Sequence, residues 1–262
     1  ICETAYLLSN GFSFRFDVTD SHGLYGALVP IWVGDDEWAA SLPSGGALLR
    51  NEPGTTFWLP LSRASEPPPL RLAPSTLLFL RRLRKLELHR PREFGGSLTL
   101  RRLPDDGPLS DSLQRVAISI EGEGFAHVRE YLVWRESVTI SGSMSEIALA
   151  FSEASADTDD ESSVDAADAA CDVHAWLPVT RVGLPFLVQA DWDLVASREA
   201  IHADSQRNAQ LRDAALQALL RAIRLNAALA ERVNLWLPSS DQCHDGFWRS
   251  LFEVGKQLRG VK

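Results

Sequence analysis

The sequence predicts an α+β fold, and three observations carry the prediction. Apolar and polar residues alternate in short runs up to Phe151, the period-two signature of half-buried strands. A helical apolar stripe runs from about Asn208 to about Val233, the mark of an amphipathic helix. With 262 residues and 45% hydrophobic content, the chain can bury a substantial core as one large or two small domains.

Taken in order, Tyr6 to Val18 alternates like a strand, with Phe12, Phe14, Phe16 and Val18 on one face. A second short strand lies between Gly23 and Val33, and Ser44-Gly45-Gly46 signals a turn. Thr55 to Leu61 supplies strand propensity behind Gly54. Pro67-Pro68-Pro69 reads as a stiff linker or surface loop. Ser75 then caps an expected helix over Thr76 to Leu86, with Leu77, Leu80 and Leu83 on one stripe and Arg81, Arg82, Arg84 and Lys85 around it.

A second sheet is expected from Leu98 to Leu103, Val116 to Ile120, His127 to Trp134, Ser137 to Ile140 and Glu146 to Phe151. From Ser152 to Asp172 the composition turns acidic and rich in Ser and Ala, with little that could fill a core. That stretch reads as a solvated insertion. A buried strand follows at Phe186 to Ala190, then the long helix, in which Leu211, Ala215, Leu219, Ile223, Ala227, Ala230 and Val233 repeat at helical spacing. The tail, Gly246 to Leu258, reads as a shorter amphipathic helix led by Phe247, Trp248, Leu251 and Phe252.

Charge and cysteine usage narrow the partners. The net charge of -9 lacks the electropositive footprint of a phosphate-backbone binder, so no nucleic-acid partner is expected. Cys2, Cys171 and Cys243 are few, odd in number and far apart, which suits a reducing, intracellular compartment, cytoplasmic or nuclear. No apolar run reaches the roughly 20 residues of a membrane span, so no membrane partner is expected. Because the chain opens at Ile1 directly into strand-like alternation, an upstream portion is expected.

Common catalytic signatures are missing: the chain has no nucleophile elbow, no phosphate-binding Walker loop, no His-Glu-x-x-His and no dinucleotide glycine fingerprint. The closest approach to a metal site is Cys171 with His174, joined by Cys243 and His244, since thiolate and imidazole are zinc ligands. Structural zinc sites use tighter paired spacing, and scattered single histidines account for the pattern as well. No metal site is therefore assigned.

Three blocks remain. The first is Ser9-Asn10-Gly11-Phe12-Ser13-Phe14-Arg15-Phe16-Asp17, followed by Gly26 to Pro30. The second is Pro53-Gly54-Thr55-Thr56-Phe57-Trp58-Leu59-Pro60-Leu61, and the third Gly183-Leu184-Pro185-Phe186-Leu187-Val188-Gln189-Ala190-Asp191-Trp192 with Ala196-Ser197-Arg198-Glu199-Ala200-Ile201. In type and order they resemble the rear of a sacsin or NO VEIN kind of Hsp-ninety-type ATPase, of the GHKL class.

The resemblance implies that residues 1–103 form the C-terminal part of a GHKL ATPase domain, a partial α/β sandwich. Residues 104–262 would then form a middle-type α+β domain with the acidic insertion at 152–172. It further implies that Gly54 and Thr55 lie at the base end of bound ATP, and that Arg198 is the catalytic arginine reaching the γ-phosphate. A permanently charged guanidinium forking onto phosphate oxygens suits that role, and Ser197 would cap a helix starting there. The plainer reading of Arg198 is a surface salt bridge with Glu199, Asp193 or Asp204.

The chain departs from the family in several places. It has Arg207-Asn208 where the family has Trp-Asn, and His202 where chaperone relatives have glutamine. The family's catalytic Glu, its magnesium-binding Asn and its Asp-x-Gly-x-Gly loop have no counterpart, since Asp105-Asp106-Gly107 falls in the wrong order. ATP and Mg2+ are thus expected only in an intact parent, a chaperone-like or regulatory ATPase with client or partner proteins. The alternative is a non-catalytic scaffold that keeps the fold and binds partner proteins, for which exposed aromatics among Trp32, Trp38, Trp58 and Trp248 would speak.

Overall fold

The computed structural model describes residues 4–9, 12–19, 27–32, 55–58, 72–88, 96–104, 107–153, 172–233 and 245–253. They fall into two compact units, Ile1–Leu70 and Arg71–Lys262. The first is built around an antiparallel sheet and the second around a mostly antiparallel one with a parallel pair, to which it adds helices, so the architecture is α+β.

The first unit holds β1 (Thr4–Ser9), β2 (Phe12–Thr19), β3 (Ala27–Trp32) and β4 (Thr55–Trp58). They form one antiparallel sheet in the order β3-β2-β1-β4. The continuous strand expected over residues 6–18 is therefore two strands, because Ser9 pairs with Phe12 across Asn10-Gly11. Asn-Gly between alternating runs is the strongest short hairpin signal, since both residues tolerate positive φ. Pro30 is accommodated because β3 ends the order of this sheet, where a missing N–H is tolerated.

The second unit begins with a single 3-10 turn, Pro74–Leu77, and then β5 (Lys85–Leu88). This replaces the helix expected over Thr76 to Leu86. Leu77, Leu78 and Phe79 are all buried at 1% exposure or less, so three consecutive side chains go inward where a surface helix would bury one stripe. The Leu78 carbonyl accepts from Arg102 and Arg135 of the sheet at 3.2 Å each, and a long-range anchor takes the place of the helical hydrogen bond.

The large sheet continues with β6 (Leu98–Arg102), β7 (Leu113–Gly122), β8 (Phe125–Ile140) and β9 (Ser143–Glu153). It is completed by β10 (Val173–Ala175), β11 (Leu177–Thr180) and β12 (Leu187–Gln189), in the order β11-β10-β12-β9-β8-β7-β6-β5. β5 and β6 pair into this sheet, so the contacts divide at residue 70 rather than near 103. The two strands expected at 127–134 and 137–140 are one, β8, paired along its length with β9 and β7.

Both faces of the sheet are covered. On one, Leu132, Trp134, Ile147, Leu149 and Phe151 pack under α1 (Gln206–Leu225), α2 (Ala227–Glu231) and the segment carrying Trp248, Leu251 and Phe252. On the other, Tyr131, Val133, Ala148 and Ala150 meet Leu77, Leu78, Phe79, Leu100 and Ile118. The expected single helix over 208–233 breaks at Asn226, which is extended at φ -130° and caps α2 through Leu229 N. Leu229 thereby takes the buried place that an unbroken stripe would assign to Ala227 or Ala230. Among the described residues no helix is long and apolar enough to cross a membrane.

Gly124 sits at the β7–β8 turn with φ +86° and open space around it. Gly124→Ala therefore meets no clash and isolates the backbone cost, expected at about 1–2 kcal/mol for a left-handed alanine. Chemical denaturation of the variant checks it.

Candidate functional site

Arg198 lies in the loop between β12 and α1. A bridge between Leu194 and Ile201 closes this loop, and the Val195 amide donates to Ala200 O at 3.0 Å. The Arg198 amide donates to Val195 O at 2.8 Å, and Arg198 itself is left-handed at φ 62°. The expected helix cap at Ser197 is not formed. α1 starts at Gln206, capped by Ser205, whose hydroxyl accepts from Asn208 N.

The loop is held by the first turn of α1. Asn208 is fully buried, and its Oδ1 accepts from Asp193 N at 2.8 Å. Its Nδ2 donates to Asp193 O at 2.9 Å and His202 O at 2.8 Å. Ser205 Oγ donates to Asp193 Oδ2 at 2.7 Å, and Arg207 donates to Ser145 Oγ at 2.9 Å while its Nε lies 3.7 Å from Asp193 Oδ1. Arg207-Asn208, noted in the sequence as a departure, is thus the fastening of the Arg198 loop.

Arg198 lines a concavity of about 440 Å³ with Trp176, Asp191, Trp192, Asp193 and Leu194. Trp176, directly after β10, is also left-handed, at φ 65°. Gln189 fixes it by accepting from the Trp176 amide, while Arg81 stacks over the indole at 4.4 Å. Among the described residues three non-glycine positions have positive φ, and two of them line this one concavity. Strained backbone of this kind persists where surrounding structure over-determines it and concentrates at functional sites.

Two side chains there carry unspent hydrogen-bonding capacity. Trp192 is 5% exposed and its indole N–H has no acceptor among the described residues. The Arg198 side chain is exposed, and among the described residues no ion pair engages it, so the salt bridges to Glu199, Asp193 or Asp204 are not formed. A guanidinium and a buried indole donor beside two carboxylates suit a ligand with anionic oxygens and an attached polar or cationic part.

Behind the site, Asp172 corrects the reading of 152–172 as wholly solvated. It is 5% exposed, and its carboxylate accepts from the amides of Val182 at 2.8 Å, Gly183 at 2.7 Å and Leu184 at 2.8 Å. Burial pushes its carboxyl above the ordinary range, and the three amide bonds with the Arg181 guanidinium pull the other way. The turn so fixed leads into β12 and hence to the Arg198 loop.

Thr55 is the first residue of β4, opposite Ser9, and belongs to the first unit, whereas Arg198 belongs to the second. Gly54 lies outside the described residues, as do Cys171, Cys243 and His244 of the zinc alternative. His174 is buried against Phe79, with ring centroids 5.0 Å apart. Among the described residues no group of three or more His, Cys, Asp or Glu could hold a metal ion. Trp248, one of the aromatics whose exposure would favour the scaffold reading, is 1% exposed and packs edge-on against Trp192.

Sequence reasoning missed the roles of Trp176 and Asp172. Gln189 and Trp192 stood in the third block without a role, and only a left-handed tryptophan and a three-amide carboxylate reveal what the first two do. Nothing in local periodicity marks either.

Because Arg198 is left-handed, Arg198→Gly removes the side chain and relieves the backbone together. The expected result is a melting temperature equal to or above that of the parent, since about 1–2 kcal/mol of relief outweighs glycine's entropic cost of about 0.5–1 kcal/mol. A marked loss of stability would mean that the arginine is a structural tie. No protein-family model, no curated protein and no solved structure matches the chain.

Proposed function

We propose that the chain is part of a chaperone-like or regulatory ATPase of the Hsp-ninety type, in which Arg198 senses the γ-phosphate of ATP. The observation that carries this reading is an exposed arginine with no ion pair among the described residues, set in left-handed backbone by a loop pinned through Asn208. Such a mounting fixes the backbone from which the guanidinium extends and leaves its charge unspent on a neighbour, available to a phosphoryl group. In this reading Gly54 and Thr55 stand near the base end of the nucleotide. The described residues include no magnesium-holding cluster, so the ion would be held by other residues of the parent.

ATP, when bound, supplies the phosphoryl group, and this chain's part is positioning and charge. The Trp192 N–H offers a further donor beside the guanidinium. Asp191 and Asp193 discourage a misplaced anion on the far side of the concavity.

The test is ATP turnover and nucleotide binding by the intact parent, with and without Arg198→Ala. Turnover is expected to fall on the order of 10³-fold or more, as for loss of a transition-state arginine, while binding persists. If neither protein binds nor hydrolyses ATP, the scaffold reading replaces this one.

A further inference from the structure

A second, separate site is suggested by charge that the fold holds together at a cost. The chain carries a net charge of -9, yet Arg81-Arg82-Leu83-Arg84-Lys85 and Arg101-Arg102 concentrate cations in two short runs. β5 and β6 bring the runs together: Lys85 stands directly opposite Arg101 in the ladder, and the Arg102 amide donates to Arg84 O at 2.8 Å. Like charges directly opposite across a ladder destabilise a sheet, so packing does not explain the arrangement. Lys85 is partly relieved by Glu87 on its own strand. Among the described residues no ion pair engages Arg84 or Arg101, and both side chains are exposed.

Among the described residues, Arg84, Lys85, Arg101, Arg102, Leu103 and Pro104 line a cavity of about 510 Å³, and none of these carries a carboxylate. Arg102 is committed to the Leu78 carbonyl, so it adds field and rigidity. Arg84, Lys85 and Arg101 are the exposed donors. We propose that this cavity binds a small soluble phosphate ester carrying at least two phosphate groups. Guanidinium forks match phosphate oxygens in pairs, and three donor groups exceed what a single carboxylate can engage. Leu103 and Pro104 provide an apolar wall for the organic part, and the volume falls within that of small-ligand sites. The overall negative charge repels long polyanions and anionic membranes, which favours a compact ligand.

The experiment is calorimetric titration with inorganic tripolyphosphate of the parent chain, Arg84→Glu/Arg101→Glu, Arg101→Gln and Arg198→Ala. Binding is expected in the parent and to weaken by at least about 100-fold in the double variant, two charged hydrogen bonds being lost at about tenfold each and two carboxylates set against the ligand. Arg198→Ala is expected to leave affinity within about twofold, which separates this site from the proposed ATP contact. Arg101→Gln should weaken binding while its melting temperature holds or rises, because the repulsion with Lys85 is gone. Absence of tripolyphosphate binding by the parent overturns the proposal. So does equal binding by the double variant, binding only to vesicles containing anionic lipid, or a fall in melting temperature for Arg101→Gln.

Discussion

Asn208→Ala is expected to destabilise the protein by about 2–4 kcal/mol, the larger part from one backbone amide. Asp193 N donates to Asn208 Oδ1 and is left without that partner. The two carbonyls served by Asn208 Nδ2 retain others, Asp193 O from His202 N and His202 O from Ser205 N. To the unsatisfied amide is added a small cavity under a fully buried side chain. Asn208→Asp keeps the size but turns two donors into an acceptor facing two carbonyls, and is expected to cost at least as much. Denaturant unfolding reads the stability, and amide exchange over residues 193–202 reads the release of the loop. A variant that unfolds at the parent's midpoint would show that the loop is held elsewhere.

Asp172→Ala is expected to cost about 3–5 kcal/mol, because it leaves three amide donors in a buried turn without their common acceptor. Those donors are Val182, Gly183 and Leu184. Their loss loosens the entry to β12, whose Gln189 fixes Trp176. Asp172 also titrates in a particular sense. Burial raises its folded-state value above the unfolded one, so between the two the native state binds more protons than the unfolded state. Stability from this group is therefore greatest below the ordinary aspartate value, about 4, and falls as pH rises through the raised one. Measured against Asp172→Asn, which lacks the titration, the parent should lose relative stability on going from pH 4 upward. A relative gain over that range would mean that the amide bonds outweigh burial.

Much of the local structure was legible. Alternation marked β6, β7 and β9, because a half-buried strand repeats every two residues whatever it pairs with, while strand propensity marked β4 and short apolar runs marked β3 and β12. The Ser-Arg-Glu segment was expected to open a helix at Ser197, whereas Arg198 lies in a loop closed by Leu194 and Ile201. The apolar stripe started the long helix near its true start, but the cap was sought at Ser197, since Ser is a common cap and Ser197 and Ser205 compete within a short stretch. Only the hydrogen bonds to Asp193 and Asn208 choose Ser205. The same ambiguity produced the false helix at 76–86, where leucines at helical spacing also suit a buried turn followed by a strand.

By itself, the sequence determined the elements whose signal is local: the period-two strands, the Asn10-Gly11 reversal, the stripe of α1 and the acidic composition of the insertion. Tertiary structure alone decided the rest. It placed β10 parallel to β12 and β12 against β9 across the whole insertion, broke the last helix at Asn226, and buried Leu77, Leu78 and Phe79 together. It also made Asp172 the acceptor of a distant turn and Asn208 the clasp of the Arg198 loop. The physical reason is the same throughout. Periodicity reports which way a side chain faces, whereas a buried polar group is satisfied by partners far away in the chain, and those exist only once the sheet has closed around it.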